Sequence, residues 1–221
     1  TGLTRSGLRM ARRHPMIPND DVYRLLLHSR LQAFLSRSFC SLNPGRELSG
    51  AYYVRALCNM LERVARGEVQ RLIIELPPRH LKSIAASVVF PAWILGRDPT
   101  KRIICVSYNN DLAQSFSLKC RGVMQELFFK TTFPAMQFDP KKNAITEFHT
   151  TKKGFRLATS MQGTMTGKGG DIVILDDPMK AQDTHSQAAR DAVFETYQNT
   201  IATRLDDPKT GAIVVVGQRL H

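Results

Sequence analysis

The sequence predicts an α/β domain in which a mostly parallel central sheet is flanked by helices. Five short, β-branched and nearly continuous apolar runs alternate with longer segments of helical periodicity. Such runs are typical of strands that are buried on both faces of a parallel sheet. Their alternation with helices indicates right-handed βαβ units. The predicted strands are RLIIEL (71–76), RIICVS (102–107), GFRLAT (154–159), DIVILD (171–176) and AIVVVG (212–217).

Helical periodicity precedes the first predicted strand and fills most of the intervals between the others. Residues 1–20 are rich in arginine, carry two prolines and are predicted to form a mobile basic arm. Residues 1–45 are therefore assigned to this arm and an N-terminal helical extension, and residues 46–221 to the α/β core. The predicted helices run from Asp20 to Phe39, Ala51 to Ala65, Ser83 to Leu95, Asp111 to Phe128 and His185 to Arg204.

The composition favours a globular protein that is attracted to polyanions. The 221 residues are 43% hydrophobic, and 31 Lys and Arg against 19 Asp and Glu give a formal net charge of +12. A chain of this length can bury one large core. An excess of positive charge in such a chain most simply indicates binding to nucleic acid, ahead of a membrane surface.

Cysteine spacing and hydropathy exclude several other classes of protein. The four cysteines are far apart and form no C-x-x-C pair, so neither a zinc site nor a disulfide framework is predicted. The most apolar stretch, residues 84–95, is shorter than the roughly 20 residues of a spanning helix. We therefore expect a soluble protein with reduced thiols, no signal peptide and no membrane partner.

The loop after the first predicted strand has the strand, loop and helix order of a phosphate-binding loop. Its sequence PPRHLKS ends in Lys82 and Ser83, the residue types that contact the β/γ-phosphates and Mg²⁺ in such loops. Leu76 and Leu81 stand where that motif has glycines, which leaves a plain helix cap as the alternative interpretation. The nucleotide-binding residues predicted here are Pro78, Arg79, His80, Leu81, Lys82 and Ser83.

A second motif, DIVILDDP (171–178), places two carboxylates directly after a buried strand. Parallel α/β sheets bind their ligands at this carboxyl end. The motif is typical of a Walker B strand, in which Asp176 would hold Mg²⁺ and Asp177 would orient or deprotonate the attacking water. An exposed turn is the alternative for Asp-Asp-Pro alone. The two motifs together predict a site for ATP and Mg²⁺.

With these motifs the sequence resembles the N-terminal packaging ATPase domain of terminase large subunits from tailed bacteriophages and prophages. The resemblance covers about residues 45–221. It rests on PPRHLKS (77–83), SYNNDLAQSFSLKCRGVM (107–124), GFRLATSMQGTMTGKGGDIVILDDPMK (154–180) and IVVVGQRLH (213–221). It implies a P-loop NTPase fold of the additional-strand type and an ATPase that drives double-stranded DNA through the portal into a procapsid.

The resemblance also implies roles for individual residues. Lys82 and Ser83 would be the Walker A lysine and hydroxyl, and Arg79 would approach the γ-phosphate. Asp176 would be the metal carboxylate, and Asp177 stands where the family usually has a catalytic glutamate. Gln218 would couple hydrolysis to movement.

The glycine-rich run GTMTGKGGD (163–171) can bring backbone close to a phosphate or to a neighbouring subunit. Lys168 is the candidate cation that a ring neighbour would receive in trans, with a solvated loop lysine as the alternative. Arg156 and Arg204 are weaker candidates for this role.

Further expectations concern partners and alternative functions. The partners that the resemblance implies are the portal protein, the terminase small subunit and other copies of the chain in a pentameric ring. The ring would form in the host bacterial cytoplasm and dock transiently at the procapsid portal vertex. We expect the C-terminal nuclease domain of the family to be absent from these residues. A non-hydrolysing DNA-binding scaffold with a degenerate loop and a helicase-like ATPase remain as alternatives.

Overall fold

A computed structural model describes residues 20–163 and 167–219, and within them seven strands form one sheet. The strands are β1 (Arg71–Glu75), β2 (Arg102–Ser107), β3 (Phe138–Asn143), β4 (Glu147–Thr150), β5 (Phe155–Ser160), β6 (Ile172–Asp176) and β7 (Ala212–Gly217). Their order across the sheet is β1-β7-β6-β2-β5-β4-β3. The five strands predicted from the sequence are mutually parallel, so the predicted mostly parallel sheet is confirmed.

The antiparallel edge formed by β3 and β4 was not predicted. β3 has the sequence FDPKKN, which lacks the alternating or continuous apolar pattern of a strand and is largely exposed. Proline and lysine are common on edge strands, where one side of the backbone has no strand partner. The hairpin extends the sheet beyond β5, with which β4 pairs antiparallel.

Strand β7 lies between β1 and β6, although it is the last strand in the chain. Leu72 of β1 is in register with Val214 of β7, which is in register with Ile174 of β6. Because all three strands are parallel, the loops that follow β1, β6 and β7 emerge at the same edge of the sheet. This arrangement brings the two predicted motifs together.

The predicted helices are present but several are interrupted. The segment predicted from Asp20 to Phe39 is broken at Arg30, whose backbone is extended. The segment after β2 is broken at Glu126, which is also extended. The α-helices are α1 (Asp20–Ser29), α2 (Leu31–Leu42), α3 (Tyr52–Ala65), α4 (Phe90–Arg97), α5 (Asn110–Gln125), α6 (Leu127–Thr132) and α7 (Gln187–Thr196).

Two short π-helical segments, Ile84–Val89 and Tyr197–Ile201, replace α-helix in the predicted helices that contain them. The first leads from the predicted phosphate loop into α4. The second follows α7 and leads into a 3₁₀ turn, Ala202–Arg204. Each segment adjoins an α-helix. Short π-helical turns of this kind are frequent at functional sites.

Apolar side chains form a core on each face of the sheet. The larger core includes the helical extension, and Trp93 of α4 donates a 3.1 Å hydrogen bond to the carbonyl of Leu27 in α1. The smaller core lies under the segment that contains α7. The predicted basic arm, residues 1–19, lies outside the described residues. Within the described ranges, no helix has the length and apolar character needed to cross a membrane.

Candidate nucleotide site

The loop that follows β1 is fixed at both ends by backbone hydrogen bonds. The N–H of Leu76 donates to the carbonyl of Gly217, the last residue of β7, at 3.2 Å. The N–H of Ala85 donates to the carbonyl of Leu81 at 2.8 Å, which closes the first helical turn. The loop therefore turns sharply from the sheet into a helix N-terminus, the arrangement that binds phosphate in many proteins.

Two residues of this loop adopt the left-handed backbone conformation that glycine normally supplies. Arg79 has φ 64° and Leu81 has φ 62°. Leu81 thus replaces one glycine of the motif with a strained residue, and Arg79 adds a second, each at a cost of about 1 kcal/mol or more. Asp177 has φ 45°, so three of the positive-φ non-glycine residues in the described chain lie at this site. Backbone strain of this kind clusters at binding and catalytic sites.

Two hydroxyl groups hold the carboxylate of Asp176 at the end of β6. Ser83 donates to Oδ1 at 3.0 Å and Ser87 donates to Oδ2 at 2.6 Å. Asp176 is only 1% exposed, and burial raises the pKa of its carboxyl to about 6. The hydrogen bond from Ser87, the largest opposing effect, lowers this pKa, while the nearby charge of Asp177 raises it.

Lys82 and Asp177 form the second pair of the site. The Nζ atom of Lys82 lies 3.8 Å from Oδ1 of Asp177, and the lysine is 8% exposed whereas the aspartate side chain is 32% exposed. The backbone of Asp177 is fixed between strands, since its N–H donates to Val216 and its carbonyl accepts from Tyr108. The lysine ammonium and a partly accessible carboxylate thus face each other at the strand ends.

The side chains around Asp176 suit a hard divalent cation. Mg²⁺ prefers oxygen ligands and commonly takes one or two carboxylates, a hydroxyl and phosphate oxygens. Asp176 and Ser83 supply a carboxylate and a hydroxyl in direct contact. The residues predicted to hold the metal therefore have the donor set that Mg²⁺ requires, and Asp176 carries a charge that its burial makes costly without a cation.

Among the other predicted site residues, His80 contacts its own loop and α3. The Nδ1 atom of His80 is 2.9 Å from the carbonyl oxygen of Pro78, and its ring lies 5.3 Å from that of Tyr53. Gln218 follows β7 and lines a groove of about 520 Å³ together with Asp177. Arg79 is exposed. Within the described residues, its guanidinium makes no hydrogen bond or ion pair.

Among the candidate cations, Lys168 contacts the carboxylate of Glu147 on β4. Burial opposes ionisation of Glu147, but hydrogen bonds from Lys168 and His149 leave the pKa of Glu147 below its ordinary value. The glycine-rich run is described only in part, because residues 164–166 lie outside the described ranges. The ammonium of Lys168 thus contacts β4, which is five strands away from β1 in the order of the sheet.

The expectation that Arg156 is a candidate cation for the site of a neighbouring subunit is wrong. Its side chain is 0% exposed and its Nη2 group donates to the carbonyl of Ser87 at 3.0 Å. A guanidinium enclosed in the core cannot reach another protein. Arg204, the other weak candidate, donates to the carbonyl of Thr200 within its own chain.

Sequence reasoning missed the part played by Ser87. This residue occurs inside an apolar helix, where a lone serine is easily taken for a neutral core residue. A signal was available, because Ser83 and Ser87 are four positions apart and so lie on one side of a helix. The site contains these two hydroxyls, and both face the carboxylate of Asp176 at the end of β6.

Comparisons with known proteins agree with this architecture. The sequence model of the family described as terminase large subunit, T4likevirus-type, N-terminal, matches residues 73–220. No curated protein matches the chain.

Two solved structures that match this chain share little sequence with it. The large terminase of bacteriophage HK97 has a TM-score of 0.50 and 14% identity, and the match covers 86% of this chain and 37% of that one. A mutant of the large terminase ATPase domain from Thermus phage P74-26 has a TM-score of 0.47 and 14% identity, with 78% and 71% covered. This chain therefore spans well under half of the HK97 protein. From the family match over most of its length, we conclude that the chain belongs to the terminase large subunit family and contains its N-terminal domain.

Proposed function

We propose that this chain is the ATP-hydrolysing motor domain of a terminase large subunit, which moves double-stranded DNA through the portal into a procapsid. One observation carries the proposal. The loop after β1 faces the two carboxylates that follow β6. Nζ of Lys82 lies 3.8 Å from Oδ1 of Asp177, and Oγ of Ser83 lies 3.0 Å from Oδ1 of Asp176. A lysine, a hydroxyl and two carboxylates in this arrangement match the requirements of phosphoryl transfer to water.

The loop would bind the triphosphate of ATP. Backbone N–H groups at the start of the helical segment point toward the loop and favour phosphate oxygens. The ammonium of Lys82 is nearly buried, so a phosphate oxygen near it would experience a strong field. Arg79 is exposed on the same loop and would supply a second positive charge to the γ-phosphate.

Ser83 and Asp176 would hold Mg²⁺. When bound, the cation neutralises phosphate charge and aligns the phosphoryl group for attack. This chain's residues perform the other tasks. Ser87 keeps one oxygen of Asp176 fixed, and burial excludes water from that carboxylate.

Asp177 would orient the attacking water and accept its proton while the bond from the γ-phosphorus to the bridging oxygen breaks. Its side chain is partly accessible and close to Lys82, as a general base beside bound phosphate must be. Gln218 lines the same groove as Asp177 and follows directly after β7. It would thereby register the loss of the γ-phosphate and pass it to the segment beyond the strand.

Coupling to DNA would require the assembled motor. The net charge of +12 supports attraction to the DNA backbone. We propose a pentameric ring at the portal vertex, recruited with the small subunit in the host bacterial cytoplasm. Lys168 would reach the site of a neighbour in that ring after leaving Glu147.

Calorimetric titration of Mg-ATP, or a slowly hydrolysed analogue, into the chain tests this proposal directly. We expect saturable binding that Lys82→Ala abolishes. Lys101→Ala is a matched control. Lys101 also lies 3.8 Å from an aspartate, Asp171, but this pair is at the amino ends of β2 and β6. Equal binding by the Lys82 and Lys101 variants would refute the assignment of the loop.

The alternatives give different results in the same preparation. A DNA-binding scaffold would bind DNA with a steep salt dependence and leave Mg-ATP unbound. A helicase-like ATPase would separate DNA strands when no portal is present. Binding of Mg-ATP together with translocation that requires the portal is the outcome expected for the motor.

A further inference from the structure

Arg156 on β5 is the largest charged side chain buried in the described part of the protein. It is 0% exposed and pairs with no carboxylate among the described residues. Its Nη2 group donates to the carbonyl of Ser87, whereas Nε and Nη1 have no partner in the described ranges. A guanidinium stays charged and is expensive to bury, so its presence calls for a function.

The carbonyl that Arg156 contacts lacks its usual helical partner. In an α-helix the carbonyl of Ser87 would accept from residue 91, but that residue is Pro91, which has no N–H. The preceding turn is π-helical, over Ile84–Val89. A buried carbonyl without a donor costs free energy, and the guanidinium provides the donor that proline removes.

Ser87 is also the residue whose hydroxyl holds the candidate metal carboxylate. Its Oγ donates to Oδ2 of Asp176 at 2.6 Å, while its carbonyl accepts from Arg156 at 3.0 Å. The two contacts connect β5 to the end of β6 through one residue of the π-helical turn. A shift of Ser87 would rotate or release one oxygen of the carboxylate.

We infer that Arg156 is a positioning residue, which fixes Ser87 and through it orients Asp176 for the metal ion. The inference rests on the proposed function and adds a residue to it. Arg156 is well suited to this task because β5 is paired on both sides, with β2 and β4, and therefore provides a rigid base. Partners of metal ligands that make no contact with the metal typically change metal affinity 10- to 100-fold.

The test uses substitutions that separate this role from general stability. Arg156→Met keeps an unbranched apolar side chain but removes every donor, and Arg156→Lys keeps one charged donor. Ser87→Ala removes the hydroxyl that holds Asp176. Ser117→Ala is the matched control, because Ser117 is a fully buried serine whose hydroxyl has no partner in the described ranges.

Binding of Mn²⁺ is measured by electron paramagnetic resonance, with the protein saturated by a non-hydrolysable ATP analogue. We expect Arg156→Met and Ser87→Ala each to weaken Mn²⁺ binding by about 10-fold, Arg156→Lys to weaken it less, and Ser117→Ala to leave it unchanged. Affinity for the analogue without metal should be the same in all variants. The double variant of Arg156→Met and Ser87→Ala should bind Mn²⁺ about as well as the single variant with the lower affinity. Both substitutions act through the same contact of Ser87 with Asp176, so their effects should not add.

The possible results separate the role of Arg156 from the proposed function. Unchanged Mn²⁺ affinity in Arg156→Met, or effects of the two substitutions that add in full, would overturn the inference while leaving the proposed function intact. If Arg156→Met does not fold, the Mn²⁺ affinity of Arg156→Lys decides instead. An affinity equal to that of the wild type would then overturn the inference. Failure of the wild-type chain to bind Mn²⁺ with the analogue overturns both.

Discussion

The hydroxyl of Ser83 donates a 3.0 Å hydrogen bond to Oδ1 of Asp176, which follows it by 93 residues in the chain. The contact joins the loop after β1 to the end of β6. Both oxygens belong to the residues that would hold Mg²⁺ in the proposed function.

Asp177→Asn should separate nucleotide binding from hydrolysis. The amide keeps the shape of the side chain but cannot accept a proton from water, so we expect Mg-ATP to bind while turnover falls by about 100-fold or more. Asp183→Asn is the control, since Asp183 lies in an adjacent groove and not beside Lys82. Steady-state hydrolysis and calorimetric binding measure the two effects. Normal turnover in Asp177→Asn would remove this residue from the proposed chemistry.

Asp176 should make the metal-free protein less stable as pH rises. Burial raises the pKa of Asp176 from 3.8 to about 6, so between these values the folded protein retains a proton that the unfolded chain releases. Above pH 6 the loss is complete and amounts to roughly 3 kcal/mol. We therefore expect Asp176→Asn to gain stability relative to wild type between about pH 4 and 6, measured by chemical unfolding in chelator.

Asp207 provides the opposite case for the same titration. Hydrogen bonds from the backbone of Lys209 and from Thr210 lower the pKa of Asp207, so its stabilising effect is lost as pH falls through that pKa. Asp207→Asn should consequently be most destabilising at neutral pH and match wild type in acid. Parallel pH dependence in the two variants would contradict this explanation.

Arg79→Gly should improve stability and impair function. Glycine adopts φ 64° without strain, and this gain exceeds its larger entropy loss on folding, so we expect about 0.5 kcal/mol of added stability. ATP turnover should fall because the loop loses its arginine. Lys153→Gly is the control, since Lys153 is an exposed residue with φ 73° in the turn between β4 and β5. It should gain stability and retain turnover.

Gly96→Ala and Gly122→Ala should change stability in opposite directions. A Cβ atom at Gly96, in α4, would lie 2.6 Å from the ring of Phe133, so we expect a loss of about 2 kcal/mol from overpacking. A Cβ at Gly122, in α5, meets nothing within 4 Å, and alanine favours helix over glycine by about 0.5–1 kcal/mol. Thermal unfolding of the two variants checks both signs. A gain at Gly96 would mean that the ring moves aside freely.

Much of the site was predictable because its motifs depend on local pattern. Lys82 and Ser83 follow one buried strand, and Asp176 and Asp177 follow another, so the rule that parallel strands bind ligands at their carboxyl ends brings them together. The backbone of the loop was not predictable, because Arg79 and Leu81 occupy conformations that sequence rules reserve for glycine. The surrounding contacts hold those residues in strain, and no local pattern reports such contacts.

The sequence alone determined the five parallel strands, most of the helices between them and the residue types of the loop after β1, since hydrophobic periodicity and short motifs are local properties of the chain. Only the tertiary structure decided that β7 lies between β1 and β6, that a polar hairpin extends the sheet, and that Arg156 is buried against Ser87. These features arise from contacts between residues far apart in sequence. Such contacts depend on how whole elements pack, and the pattern of any one segment does not contain them.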